Sequence, residues 1–232
     1  MVWFRHTMSV SFWAGIVHIP APLRATVALA AIFAAVAWTA HGHARPQTTN
    51  SPAGCVAVTV LAPPAYPGTR GLANFGQVSP SLFRGGQPTT EGYRELKQMG
   101  FDTVISFRYE KGENSIEGRA LEGLGMRFVN MPWHAWDKPT DEEVRQFFAL
   151  LSADRHGKVF VHCQQGRDRT GAMVALYRIA VDHWCPASAV AEMKAYHYHH
   201  FWFPQLETYV ESFPQRLAVD HGLASVISAP QR

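Results

Sequence analysis

His162-Cys163-Gln164-Gln165-Gly166-Arg167-Asp168-Arg169-Thr170-Gly171 places a cysteine six positions ahead of an arginine inside a short, glycine-containing stretch. Lys158-Val159-Phe160-Val161, just before it, is an apolar, β-branched run that reads as a buried strand. Ala172, Met173, Val174, Ala175, Leu176 and Tyr177, just after it, read as a buried helix. Strand, loop and helix in that order let the N–H groups of residues 164 to 169 converge on one point, where the helix also aims the positive end of its dipole. Arg169 adds a planar fork able to take two oxygens of a tetrahedral anion. Gln164, Gln165, Gly166, Arg167, Asp168 and Arg169 are therefore the candidate anion-binding residues. Helix N-termini and nearby cations favour thiolate over thiol, which makes Cys163 a candidate nucleophile. A Cys-x5-Arg string arises by chance, and an isolated buried cysteine is usually a small hydrophobe; the combination of strand, His-Cys, central glycine, Arg-Thr-Gly and apolar helix carries the reading.

Working outward, Leu82-Phe83 reads as a first, edge strand, Glu91 to Met99 as a helix stopped by Gly100, and Thr103 to Phe107 as a buried strand. Asn114 to Gly123 reads as a short helix with Asn114 and Glu117 in capping-box register, and Met126 to Met131 as the next strand. Thr140 and Glu143 form a second capping box, followed by Val144, Phe147, Phe148 and Leu151 at i, i+3, i+4 and i+7. The last strand ends at His162. The helix after the motif runs to about Asp182, and two more start at Ala187 and Gln205. Strands alternating with helices predict an α/β fold: a single domain with a central, mostly parallel sheet flanked by helices. Its ligand belongs at the strands' carboxyl ends, where Cys163 and Arg108 both fall.

The front of the chain has a different character. Residues 1–44 carry Arg5 and Arg24 and no acid, and Val27 to Trp38 is a twelve-residue run without a polar side chain. That length fits a signal-peptide core better than a spanning helix, which needs about 20 apolar residues. Gly42 and Ala44 then stand at cleavage-site positions. The expectation is a signal peptide, or alternatively an uncleaved N-terminal membrane anchor, over 1–44, with the rest exported or held outside the cytoplasm. A Pro/Gly-rich linker follows over 45–73, punctuated by Pro46, Pro52, Pro63, Pro64 and Pro67 and read as an extended tether. A catalytic-type domain then spans 74–220, and a C-terminal tail 221–232.

The chain has 21 basic and 18 acidic residues, and loss of residues 1–44 would leave 19 against 18, a formal charge of +1. Nothing in that balance suggests a nucleic-acid surface. Three cysteines are too few for a disulfide framework and lack metal-ligand spacing. Cys55 and Cys185 are candidates for a regulatory bridge to Cys163, although Cys185, beside Trp184 and Pro186, more simply ends a helix. The histidines and aromatics of Tyr196 to Phe203 read as helix-end packing.

At the motif the chain resembles the cysteine-dependent protein tyrosine phosphatase superfamily, whose signature is Cys, five residues, Arg, then Ser or Thr: here Cys163, Arg169 and Thr170. Gly76-Gln-Val-Ser-Pro-Ser-Leu-Phe-Arg-Gly-Gly-Gln-Pro88, a helix, and Gly100-Phe-Asp-Thr-Val-Ile-Ser-Phe-Arg108 are similar to the opening of its small, atypical dual-specificity branch. The resemblance implies a phosphocysteine intermediate on Cys163, phosphoryl binding by Arg169, and a hydroxyl at Thr170 that assists the cysteine. It implies no metal and no cofactor. It also implies a general acid on a separate loop, and Asp137 in Met131-Pro-Trp-His-Ala-Trp-Asp-Lys-Pro139 fills that place, with Asp168 and Asp141 as alternatives. The family's Trp-Pro-Asp order is replaced here by Trp-Asp-Lys-Pro.

The function so implied is a metal-independent phosphomonoester hydrolase acting on phosphotyrosine- or phosphoserine-type protein substrates. An inositol-type phosphoester is the alternative partner, because Arg167 adds a cation at the rim. An inactive phosphate-binding module is a further alternative. Membrane attachment, if any, would run through the N-terminal segment.

Overall fold

A computed structural model describes residues 54–63, 66, 69–134, 136–153 and 157–228. The expected leader lies outside them; among the described residues no helix is long and apolar enough to cross a membrane.

In chain order the elements are β1 (Gly76–Gln77), β2 (Leu82–Gly86), α1 (Thr90–Gln98), β3 (Phe101–Ser106), α2 (Lys111–Gly123), β4 (Arg127–Asn130), α3 (Asp141–Ala153), β5 (Lys158–Cys163), α4 (Asp168–Ala180), α5 (Pro186–Ala195), α6 (Pro204–Glu211), α7 (Phe213–Val219) and α8 (His221–Ser228). The sheet runs β1-β2-β5-β3-β4. All its pairings are parallel except β1 with β2, which is antiparallel. The expected α/β fold with a mostly parallel sheet is therefore what the chain adopts. One detail differs: β2 is interior, because Gly76–Gln77 adds a short strand outside it.

Strand alternation divides the apolar side chains between two cores. Phe83, Phe101, Val104 and Phe160 pack with Leu96 of α1 and Leu121 of α2 on one face. Leu82, Ile105, Val159, Val161 and Cys163 pack on the other with α3, α4, α6 and α8. Every residue of α4 is buried, which explains why this helix shows no polar stripe: it lies inside the second core rather than on the surface. Arg178 near its end is tied to Glu192 of α5 (2.8 Å), to Asp182 (2.7 Å) and to the Val78 carbonyl (2.8 Å).

The Thr140–Glu143 capping box forms as expected. The Thr140 N–H donates to Glu143 Oε2 (2.7 Å), and the Glu143 N–H donates to Thr140 Oγ1 (3.2 Å). Asn114 and Glu117 do not cap. Helix α2 starts earlier, behind Glu110, so both lie on its buried face at 5% and 2% exposure. There Asn114 Nδ2 donates to the Arg108 carbonyl (2.9 Å), and Glu117 Oε1 lies 3.0 Å from His162 Nε2.

Beyond residue 220 the chain still contributes to the core, since Leu223 and Ile227 of α8 are buried in the cluster with Val144 and Phe148 of α3. At the other end, Cys55 forms a disulfide with Cys185. The linker residues beside it are fixed too: the Val56 N–H donates to the His183 carbonyl (2.7 Å), the Cys185 N–H to the Val56 carbonyl (2.8 Å), and the Val58 N–H to Ser188 Oγ (2.9 Å). The candidate bridge from either of these cysteines to Cys163 is therefore not formed: Cys55 and Cys185 are bonded to each other, and Cys163 is a free, buried thiol.

Candidate active site

Cys163 closes β5, and α4 begins five residues later. The intervening loop folds tightly against β2. Gly166 has φ +70°, and a Cβ there would stand 2.3 Å from the Gly85 carbonyl carbon, so glycine is needed both for backbone conformation and for space. Three consecutive loop carbonyls are engaged from outside. Gln164 O accepts from the Gln87 N–H (3.1 Å), Gln165 O from Asn74 Nδ2 (3.4 Å), and Gly166 O from Asn74 Nδ2 (3.1 Å) and Arg84 Nη2 (2.9 Å). A peptide plane points its N–H opposite to its carbonyl, so the amides of Gln165, Gly166 and Arg167 turn the other way, toward the loop's interior.

Arg169 sits in the first turn of α4 and is almost fully buried. Its Nη1 donates to the Phe107 carbonyl (2.9 Å) and to the Trp133 carbonyl (3.1 Å). Two fixed acceptors orient the fork in advance, and Arg169 lines the same cavity as Cys163. That cavity, of about 350 Å³, is bounded by Cys163, Gln164, Gln165, Asp168, Arg169 and the aromatic side chains Trp136, His199, Trp202 and Phe203. Thr170 is fully buried, and its hydroxyl has no hydrogen-bond partner among the described residues.

The three acid candidates are placed differently. Asp141 opens α3 and is held by Arg216 (2.9 Å). Asp168 lines the cavity, but its carboxylate accepts from the His199 N–H (2.9 Å) and lies 3.1 Å from His199 Nδ1. Asp137 lies on the 131–140 loop, its N–H donating to the His134 carbonyl (3.0 Å). It lines a separate groove of about 1060 Å³ with Tyr109, Lys138, Gln205 and Arg216, not the cavity of Cys163. Arg167, the N-cap of α4, does not pair with Asp168; its Nη1 is 3.0 Å from His199 Nε2. With Nδ1 on Asp168, the imidazole links the two.

His199, Trp202 and Phe203 come from the connection between α5 and α6, a segment whose sequence favours helix-end packing over a substrate platform. The crowding of histidines and aromatics at 196–203 was the available signal, but periodicity cannot tell a turn that walls a cavity from a helix end that fills a core.

Residues 70–208 match the family model described as DSP-PTPase phosphatase fused to NAD+ kinase. Dual specificity protein phosphatase TpbA of Pseudomonas aeruginosa (strain UCBPP-PA14) is 35% identical over 123 residues, 52% of this chain and 53% of TpbA. The chain thus spans about half the length of the curated relatives it matches. The crystal structure of P. aeruginosa TpbA is similar with a TM-score of 0.54 at 27% identity, covering 77% of this chain and 97% of that one. A TpbA structure in complex with pTyr matches with a TM-score of 0.53 at 27% identity, covering 74% and 100%. With well over half of its length, phosphate loop included, falling within that family model, the chain belongs to the dual-specificity type of the cysteine-dependent protein tyrosine phosphatase superfamily.

Proposed function

We propose that the chain is a metal-independent phosphomonoester hydrolase that works through a phosphocysteine on Cys163 and takes phosphotyrosine- or phosphoserine-type protein substrates. The observation that carries this reading is the shared cavity of a free Cys163 thiol and a pre-anchored Arg169 at the N-terminus of α4. Sulfur attacks phosphorus in line as the P–O bond to the leaving group breaks, and the leaving oxygen takes a proton from Asp137. Water, deprotonated by the same carboxylate, then displaces the sulfur and releases orthophosphate. Arg169 and the loop amides meet the charge on the phosphoryl oxygens throughout, an electrostatic contribution that usually carries most of the rate.

Delivery of the proton requires the 131–140 loop to bring Asp137 from its groove to the cavity, a closure of the kind that gates many enzymes. The aromatic wall of Trp136, Trp202 and Phe203 favours an aryl phosphate, in keeping with the pTyr bound to TpbA. An inositol-type substrate would have to draw Arg167 away from His199 to use its charge.

Export is part of the proposal. Disulfides persist in oxidising compartments, and the Cys55–Cys185 pair supports the same location as the leader's composition. A panel of phosphopeptides, phosphoinositides and soluble inositol phosphates, assayed with EDTA, tests the reading. Turnover of phosphotyrosine peptides unaffected by chelation is expected. Strict dependence on a divalent ion, or turnover of inositol phosphates alone, would overturn it.

A further inference from the structure

Arg84 is fully buried in β2, and the phosphatase reading leaves it without a task. The parallel register pairs Leu82 with Val159, Arg84 with Val161 and Gly86 with Cys163. Alternation therefore puts the Arg84 side chain on the sheet face that also carries the Cys163 thiol. It runs beneath the phosphate loop. Its Nη2 donates to the Gly166 carbonyl (2.9 Å) and lies 3.8 Å from where a Cβ on Gly171 would stand, beside the first turn of α4. The Tyr196 ring covers the guanidinium at 3.8 Å. Nε and Nη1 have no hydrogen-bond partner among the described residues.

The surrounding charges are already committed. Glu192, the carboxylate whose charge acts most on Arg84, is taken by Arg178, and Asp168 is taken by His199. A buried guanidinium without a carboxylate is costly, and a helix N-terminus nearby makes it more so. Burial pulls the Arg84 pKa below its ordinary value, while Glu192, Tyr196 and Cys163 pull it back up. An anion is needed to balance this site, and the sulfur on the same face can supply it.

We propose that Arg84 is a positioning residue: it pins the Gly166 carbonyl so that the loop amides stay turned toward the phosphoryl group, and its fixed charge beneath the loop holds Cys163 as the thiolate. The proposal rests on Cys163 being the nucleophile, so the test uses a readout that separates the two claims. Alkylation of Cys163 by iodoacetamide is followed against pH in the full chain with the Cys55–Cys185 disulfide intact. Arg84→Gln keeps a donor for Gly166 but no charge, and its alkylation midpoint is expected to rise by about one pH unit. Arg84→Lys keeps the charge, and its midpoint is expected to stay near the wild-type value while KM for p-nitrophenyl phosphate rises, because one ammonium replaces the planar fork. Arg84→Met is a second neutral variant should the amide not be accommodated, with thermal melting to confirm folding. A folded neutral variant with an unmoved midpoint, or a lysine variant displaced as far as the neutral ones, would overturn the role of Arg84. A wild-type midpoint equal to that of free cysteine would instead sink the nucleophile reading itself.

Discussion

Asp137 and Cys163 line different cavities, although Trp136, one residue before the aspartate, borders both. Trp136 is 65% exposed; its backbone carbonyl accepts from Gln205 Nε2 (3.1 Å), its ring stands 4.8 Å from that of Phe203, and the Asp137 N–H after it donates to the His134 carbonyl (3.0 Å). If Asp137 protonates the leaving group after the loop moves, Asp137→Asn should lower kcat by about 10²- to 10⁴-fold for alkyl or phenyl leaving groups and much less for p-nitrophenolate. Equal loss across a leaving-group series in steady-state kinetics would move the role elsewhere.

Asp168 is held by both the backbone and the ring of His199, which suits a tether for the cavity wall better than a proton donor. Asp168→Asn and His199→Ala are expected each to raise KM several-fold, with the double variant little worse than either single one, because both cut the same tie. A leaving-group dependence in Asp168→Asn, absent in Asp137→Asn, would exchange the roles of the two carboxylates.

Gly166→Ala has no room: its Cβ would meet the Gly85 carbonyl in a backbone conformation that L residues rarely adopt. The expected outcome is a folded protein whose loop no longer fits phosphate. Orthophosphate inhibition in the variant measures it, and an unchanged inhibition constant would show that the loop tolerates displacement.

The Cys55–Cys185 bond closes a loop with a sequence separation of 130. Cys55→Ser is expected to cost about 2–4 kcal/mol of stability, read by denaturant unfolding, while Cys163 still turns over substrate. Loss of activity in a folded, reduced enzyme would mean that the bond reaches the site itself.

The parts of this fold that could be read in advance are those whose signal is local. The strand–loop–helix around Cys163, the Thr140–Glu143 cap and the spacing of Val144, Phe147, Phe148 and Leu151 each depend on residues within one or two turns. What escaped depends on distant partners. Asn114 and Glu117 have capping spacing, yet they are drawn inward by Arg108 and His162 from other elements. Helix α8 is short, and only its docking on α3 shows what Leu223 and Ile227 do. Cys55 meets Cys185 across the whole domain, which no spacing rule reveals. His199 enters the cavity only because Asp168 and Arg167 hold it there.

The most direct test of the chemistry at Cys163 is to quench turnover of an aryl phosphate in acid and map the trapped enzyme by mass spectrometry, alongside Cys163→Ser. A phosphoryl adduct on the peptide carrying Cys163, and no turnover in the serine variant, is the expected result. Full turnover by folded Cys163→Ser, or an adduct on any other residue, would contradict it.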